Sequence, residues 1–429
     1  MGSYQTGFAR HFALRAALSF AVLCAMLASL APRGHAQTET VLYRFCSMPN
    51  CSDGTEPVAG LLIDTQGDIY GAALGGPNGF TAGMVFEITP SKESVVYGFN
   101  SVAGGQGPNG GFVRDTNGNF YGTTERGGYD KRPCKQSFGC GVVFELSPSG
   151  TENVLYTFTG GPDGSSPNGG LVFDGKGNLY GTTYGGGAGN RRKKAGTVFQ
   201  LSSTGIETVL HRFGAYKGDG QFPSTGLVMD AKGNLYGTTN AGGFDGYYDG
   251  AGHDFCVRGC GTVFEINTSG VETTFYTFKG WKNKDGAEPI AGLILDAKGN
   301  FYGTTAWGGL YGFGTVFELT SAGKEKILYS FTGTTDGAIP VGGLVMDSKG
   351  NLFGTTYEGG AFGFGTVFEL TPNGKETVLY SFADGPDGAY PFDAPVMDAK
   401  GNLYGTTYLG GNFNSDCPQG CGVLFKVSR

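Results

Sequence analysis

The sequence predicts an all-β fold: a seven-bladed β-propeller of four-stranded blades, its ring closed by an N-terminal strand that completes the last blade. Three observations predict it. First, a marker, Tyr-Gly-Thr-Thr or a close variant, begins at Tyr70, Tyr121, Tyr180, Tyr236, Tyr302, Phe353 and Tyr404, at spacings of 51, 59, 56, 66, 51 and 51 residues. Repeats of about 40 to 50 residues rich in short strands belong to propeller blades. Second, each repeat holds four runs of β-branched and aromatic residues, and no long segment has helical periodicity. Third, the chain after its leader opens on a fourth strand, 39–45, and finishes on a third, 422–427. Pairing 40–45 with 423–427 therefore closes seven complete blades and removes the open edges, whereas an open array would want capping units.

Residues 1–36 come first. Arg10 and Arg15 precede an apolar run from Ala16 to Ala31, and Gly34-His35-Ala36 follows, which reads as a secretory signal peptide cleaved near Ala36. Cys24 lies inside the apolar run, so no lipoprotein signal is read. No later segment is long and apolar enough to span a membrane. The expected product is one propeller domain, 37–429, secreted or periplasmic. Loss of Arg10, Arg15 and Arg33 with the leader moves the net charge from −7 to −10, which argues against a nucleic-acid partner. The 81 glycines recur at fixed places in the repeat, which makes them turn and packing residues.

Within a blade, residues 292–296 form the first strand and 301–305 the second. Ala297-Lys-Gly-Asn300 between them is a tight hairpin, because Gly and Asn accept positive φ and the preceding Asp can bond the turn backbone. Residues 314–319 and 326–331, joined through Gly323, form the second hairpin. The eight cysteines beyond the leader fall into close pairs: Cys46 with Cys51, Cys134 with Cys140, Cys256 with Cys260, and Cys417 with Cys421. Export and an even count predict four local disulfides that brace single loops. Zinc is the competing reading; it is disfavoured because the pairs lie far apart in sequence and only His211 and His253 remain.

The composite pattern Asp-x-x-Gly-Asn-Leu-Tyr-Gly-Thr-Thr, then Gly-Gly, Gly-Thr-Val-Phe-Glu-Leu and Glu-Thr-Val-Leu-Tyr-Ser-Phe resembles the repeats of the choice-of-anchor, GloVer-containing bacterial proteins. The resemblance covers nearly all of residues 38–427. It implies a secreted bacterial repeat protein with no established reaction, in a family named for varied C-terminal surface anchors. This chain departs from that pattern, since it runs to Arg429 directly after a strand. The Asp-x-x-Gly-Asn-Leu-Tyr hairpin is also similar to that of NHL-type propellers.

In a four-stranded meander the first-to-second and third-to-fourth turns share one face, and the remaining loops share the other. The second face carries every insertion and all eight cysteines, so binding is expected there, around the mouth of the channel. Asp-Gly-x-x-Pro recurs at Asp53, Asp163, Asp219, Asp285, Asp336 and Asp387, with Gln106 in the remaining blade. These carboxylates either form a ring that attracts a cation or simply make the turn, and the turn is the simpler reading. Residues that break the repeat are the ligand candidates. Trp281, Trp307 and Tyr311, with Phe313, either suit stacking on sugars or a protein contact or only cover neighbouring blades, and Arg191, Arg192, Lys193 and Lys194 either suit a polyanion or form a solvated loop. The insertion at 244–260 suits a lid, a partner contact or unselected loop growth equally. His211 takes a strand position held by Tyr in most blades, and Glu87, Glu145, Glu265, Glu318 and Glu369 share one repeated slot, which reads as structure. No Ser/His/Asp set, metal cluster or phosphate loop assembles, and no cofactor is expected. The expectation is a non-catalytic propeller binding an extracellular polysaccharide or protein. The alternative is a glycoside hydrolase or lyase with carboxylates at the channel mouth, marked by two non-repeated acids facing one pocket.

Overall fold

The computed structural model describes residues 38–429 except 59, 78–81, 90–91, 101–102, 129–133, 135–137, 188–194, 244–255 and 257. Seven antiparallel sheets, each running outward from an innermost strand, make a seven-bladed propeller. In the fifth blade the order is Ile294–Leu295, Phe301–Thr305, Thr315–Leu319 and Glu325–Ser330. Every blade carries a bulge between its third and fourth strands, here between Val316 and Phe317. The bulge leaves the fourth-strand Tyr329 able to reach Asp336 in the loop to the next blade.

The marker is explained residue by residue. Its Tyr hydroxyl donates to carboxylates of its own blade, as Tyr121 does to Glu145 at 2.8 Å and to Asp115 at 3.3 Å. Its Gly leaves room for the third-strand Phe: a Cβ on Gly303 would sit 2.8 Å from the Phe317 ring. Its first Thr donates to a carbonyl of the next blade, as Thr304 does to Gly342 at 3.0 Å. Its second Thr donates to the carbonyl two residues on, as Thr305 does to Trp307 at 2.8 Å. The hairpin Asp is equally specified. Asp296 accepts the Lys298 and Asn300 amides on one oxygen and the Asn300 side chain and Tyr302 hydroxyl on the other. Burial alone would raise this carboxyl, but those donors win and hold it below its usual range.

The first strand differs from expectation. Instead of one run over 292–296, only Ile294–Leu295 pairs with the second strand here, and a separate piece, Gly286–Ala287, pairs with Trp307–Gly308. The break falls where neighbouring blades touch at the axis. Its carbonyls are taken by Thr hydroxyls of the preceding blade, as Ala291 is by Thr238, so the chain there serves blade-to-blade contact instead of the ladder.

Blades are riveted by fully buried phenylalanines. The Phe after each fourth strand meets the third-strand Phe of the next blade edge to face, with centroids near 5 Å in all seven interfaces, from Phe45–Phe86 and Phe99–Phe144 through Phe382–Phe425. The ring closes as the sequence predicts: Glu39–Arg44 pairs antiparallel with Val423–Val427, and Phe45 supplies the rivet to the first blade. No helix among the described residues is long and apolar enough to cross a membrane.

Candidate functional site at the mouth of the ring

The sequence-selected residues do not converge. Trp307 is not an exposed aromatic; it is buried on the short strand Trp307–Gly308, because its backbone pairs with Ala287 and its ring is enclosed there. Trp281 and Tyr311 are exposed, and the turn Trp281–Asn283 packs beside Trp307–Gly308. Arg191, Arg192, Lys193 and Lys194 lie outside the described residues, as does most of the 244–260 insertion. The repeated loop aspartates turn inward on their own loops. Asp336 accepts the Thr332 amide and hydroxyl and the Tyr329 hydroxyl, and Asp53 accepts Tyr43 at 2.6 Å and the Ser47 amide at 2.7 Å. Asp163, Asp219, Asp285 and Asp387 likewise accept backbone amides of their own loops. Gln106 instead opens the strand Gln106–Pro108.

All four cysteine pairs are disulfides: Cys46–Cys51, Cys134–Cys140, Cys256–Cys260 and Cys417–Cys421. Distance in sequence misleads at one place. The first and last pairs meet where the ring closes, with all four sulfurs within 4.8 Å of one another.

A different set of residues converges on the channel mouth. In each Asp-Gly-x-x-Pro loop the residue before Pro has positive φ: Glu56, Ser166, Phe222, Glu288, Ile339 and Tyr390, all between 54° and 60°, with Gly107 in the second blade. L-residues rarely hold this conformation, and a β-branched Ile almost never does. It is held because the amide bonds back to the preceding blade, as Glu288 does to Cys260 and Tyr390 to Phe364. The residue is therefore fixed in backbone and free in identity. It stands at the start of the innermost strand, opposite the residue that follows the marker. For example, Tyr357 donates its amide to Ile339, and Asn240 to Phe222.

Together these two positions line the mouth with non-repeated side chains. Around the sixth, seventh and first blades Tyr357 lies 4.9 Å from Tyr390 and 6.2 Å from Phe392, and Phe364 lies 5.6 Å from Tyr390. Tyr408 hydrogen-bonds Glu56 across the closing seam. On the far side Phe222 stacks on Tyr184 at 5.2 Å and beneath the Arg258 guanidinium. Burial pushes the Glu288 carboxyl up to about 7 and raises Glu358. It also raises Glu56, against the opposing Tyr408 hydrogen bond. Asp393, at the axial break of the last blade, is raised to about 7 by burial, and its Oδ2 is sealed from solvent with no partner. The mouth thus offers aromatic faces and carboxyls whose burial favours the protonated form. A signal for it exists in sequence: these are the variable letters inside an otherwise fixed motif.

No curated protein matches the chain. Among solved structures, an extracellular domain from B. thetaiotaomicron is 10% identical with a TM-score of 0.53, covering 90% of this chain and 39% of that one. A gluconolactonase from Xanthomonas campestris is 14% identical with a TM-score of 0.38, covering 67% and 78%. A luciferin-regenerating enzyme is 11% identical with a TM-score of 0.43, covering 75% and 91%. At such identities the likeness speaks to fold alone. The sequence itself matches the Gloeobacter/Verrucomicrobia repeat over residues 27–249 and 244–429, and the chain belongs to that family.

Proposed function

We propose that this chain is a secreted propeller that binds an extracellular polysaccharide at the mouth of its ring without cleaving it. The observation that carries the reading is the half-buried set of Tyr390, Phe392 and Tyr408, backed by the buried Tyr357 and beside Glu56 and Glu358. Aromatic faces take the C–H faces of sugar rings, and carboxyls accept their hydroxyls. Exposed Trp281, Tyr311, Phe362 and Phe413 extend the surface outward and suit a long polymer or a protein partner. The basic stretch Arg191–Lys194 suits an acidic polymer. Four disulfides and the leader-like N-terminus support export.

A second reading, a glycoside hydrolase or lyase, is favoured by Asp393, an acid outside the repeated slots with a buried, unpartnered Oδ2, and by Glu288, whose slot also holds Glu56; burial raises both to about 7. One experiment separates the two. Purified protein is incubated with a panel of soluble and insoluble polysaccharides, scoring retention and release of new sugar ends together. Retention without release, weakened about tenfold or more by Tyr390→Ala, is the expected outcome. Release of sugar ends abolished by Glu288→Gln or Asp393→Asn would replace the binding reading with the enzyme.

A further inference from the structure

One blade interface departs from the other six. At five of them a fourth-strand Tyr donates its hydroxyl to the loop Asp: Tyr43 to Asp53, Tyr156 to Asp163, Tyr276 to Asp285, Tyr329 to Asp336 and Tyr380 to Asp387. The Glu that opens the next fourth strand lies close by, and at the sixth interface Tyr97 donates directly to that Glu, Glu152. Between the third and fourth blades the Tyr is replaced by His211. Its Nε2 lies 3.3 Å from both oxygens of Asp219 and 3.9 Å from Oε2 of Glu272.

We infer that His211, Asp219 and Glu272 form a binding site for one divalent transition-metal ion, with zinc as its representative. A nitrogen and two carboxylates replace a neutral phenol and two carboxylates, which turns a hydrogen-bonded cluster into a ligand set. The three ligand atoms lie within 4.8 Å of one another. Zinc–ligand bonds of about 2.0 to 2.1 Å place neighbouring ligand atoms about 3.3 Å apart on a tetrahedral face, close to the distances from His211. The site is enclosed, with side-chain exposures of 13%, 0% and 3% for His211, Asp219 and Glu272. Oε1 of Glu272 is buried with no hydrogen-bond partner, as is the matching oxygen of the Glu at each of the other six interfaces, so the imidazole of His211 is what sets this one apart. Tyr216 donates to Glu272 Oε2 at 2.7 Å and stands where it can orient that ligand. The imidazole nitrogen favours a transition ion over calcium, which takes oxygen ligands.

The test uses chelator-treated protein under non-reducing conditions, so that the cysteines stay in their disulfides, titrated with zinc chloride and, separately, calcium chloride. The expected result is one zinc bound per chain with a rise in Tm. The His211→Tyr variant, which restores the residue used by the other interfaces, should match the metal-free Tm of the parent and bind zinc at least about a hundredfold more weakly. Glu272→Gln should weaken zinc about tenfold or more. Equal zinc binding by His211→Tyr, calcium binding as tight as zinc, or no Tm shift of the parent with zinc would each overturn the inference.

Discussion

At the scale of single residues, the repeat is conserved within the chain because each letter of the marker has a separate partner. Gly303 is the clearest case, since its missing side chain is the space that Phe317 and Leu293 occupy. Gly303→Ala should destabilise the protein by about 1 to 3 kcal/mol in urea unfolding, from overpacking in a buried interface. Thr304→Val tests the neighbouring letter. Loss of its bond to the Gly342 carbonyl leaves a buried acceptor less well satisfied and should cost about 1 kcal/mol in the same assay. An unchanged midpoint in either variant would mean that the marker serves something other than packing. The mouth residues follow a different logic, because their backbone is fixed by bonds to the preceding blade while the side chains range from the carboxylates of Glu56 and Glu288 to Ser166, Phe222, Ile339 and Tyr390.

At the scale of strands, the fourth strands set how the ring responds to pH. Each begins with a Glu, and a loop Asp lies near it in all but the second blade, where the loop running into Gln106 has no Asp. Burial, then the charge of that Asp, pushes Glu39, Glu93, Glu207, Glu325 and Glu376 up to about 7. A carboxyl raised on folding binds its proton more tightly in the folded state. Its contribution is complete below the ordinary value of 4.5 and is lost as pH rises through 7. The hairpin aspartates Asp115, Asp174, Asp230, Asp296, Asp347 and Asp398 are held low, so their contribution is lost as pH falls below 3.8. Tm should therefore peak near about pH 5 and fall by several degrees towards pH 8. Glu376→Gln, which keeps the neutral form at every pH, should shrink that fall, and a Tm that rises from pH 5 to pH 8 would contradict the assignment.

At the scale of the whole molecule, the ring was legible in the sequence because its evidence is periodic. The spacing of the marker and the phase of the first and last strands state the number of blades and where the chain ends meet. The mouth was not legible in the same way. Residues such as Glu288 and Tyr390 look like free positions in a turn motif, and only the ring brings them around one opening. Trp307 goes the other way: of its two readings, a binding aromatic and a packing residue, burial on a two-residue strand fits the second. The seam between the first and last residues of the ring is where the account is most exposed. There Glu39–Arg44 supplies five backbone pairings, the Phe45 rivet follows directly, and the Tyr408–Glu56 bond helps shape the mouth. The most direct test compares thermal unfolding of the intact protein with a chain lacking only residues 39–44. A closed ring predicts a Tm lower by at least about 10 °C, because the last blade loses its outer strand and the ring opens at its seam. An unchanged Tm would show that the strand is dispensable and that the ring does not close as described.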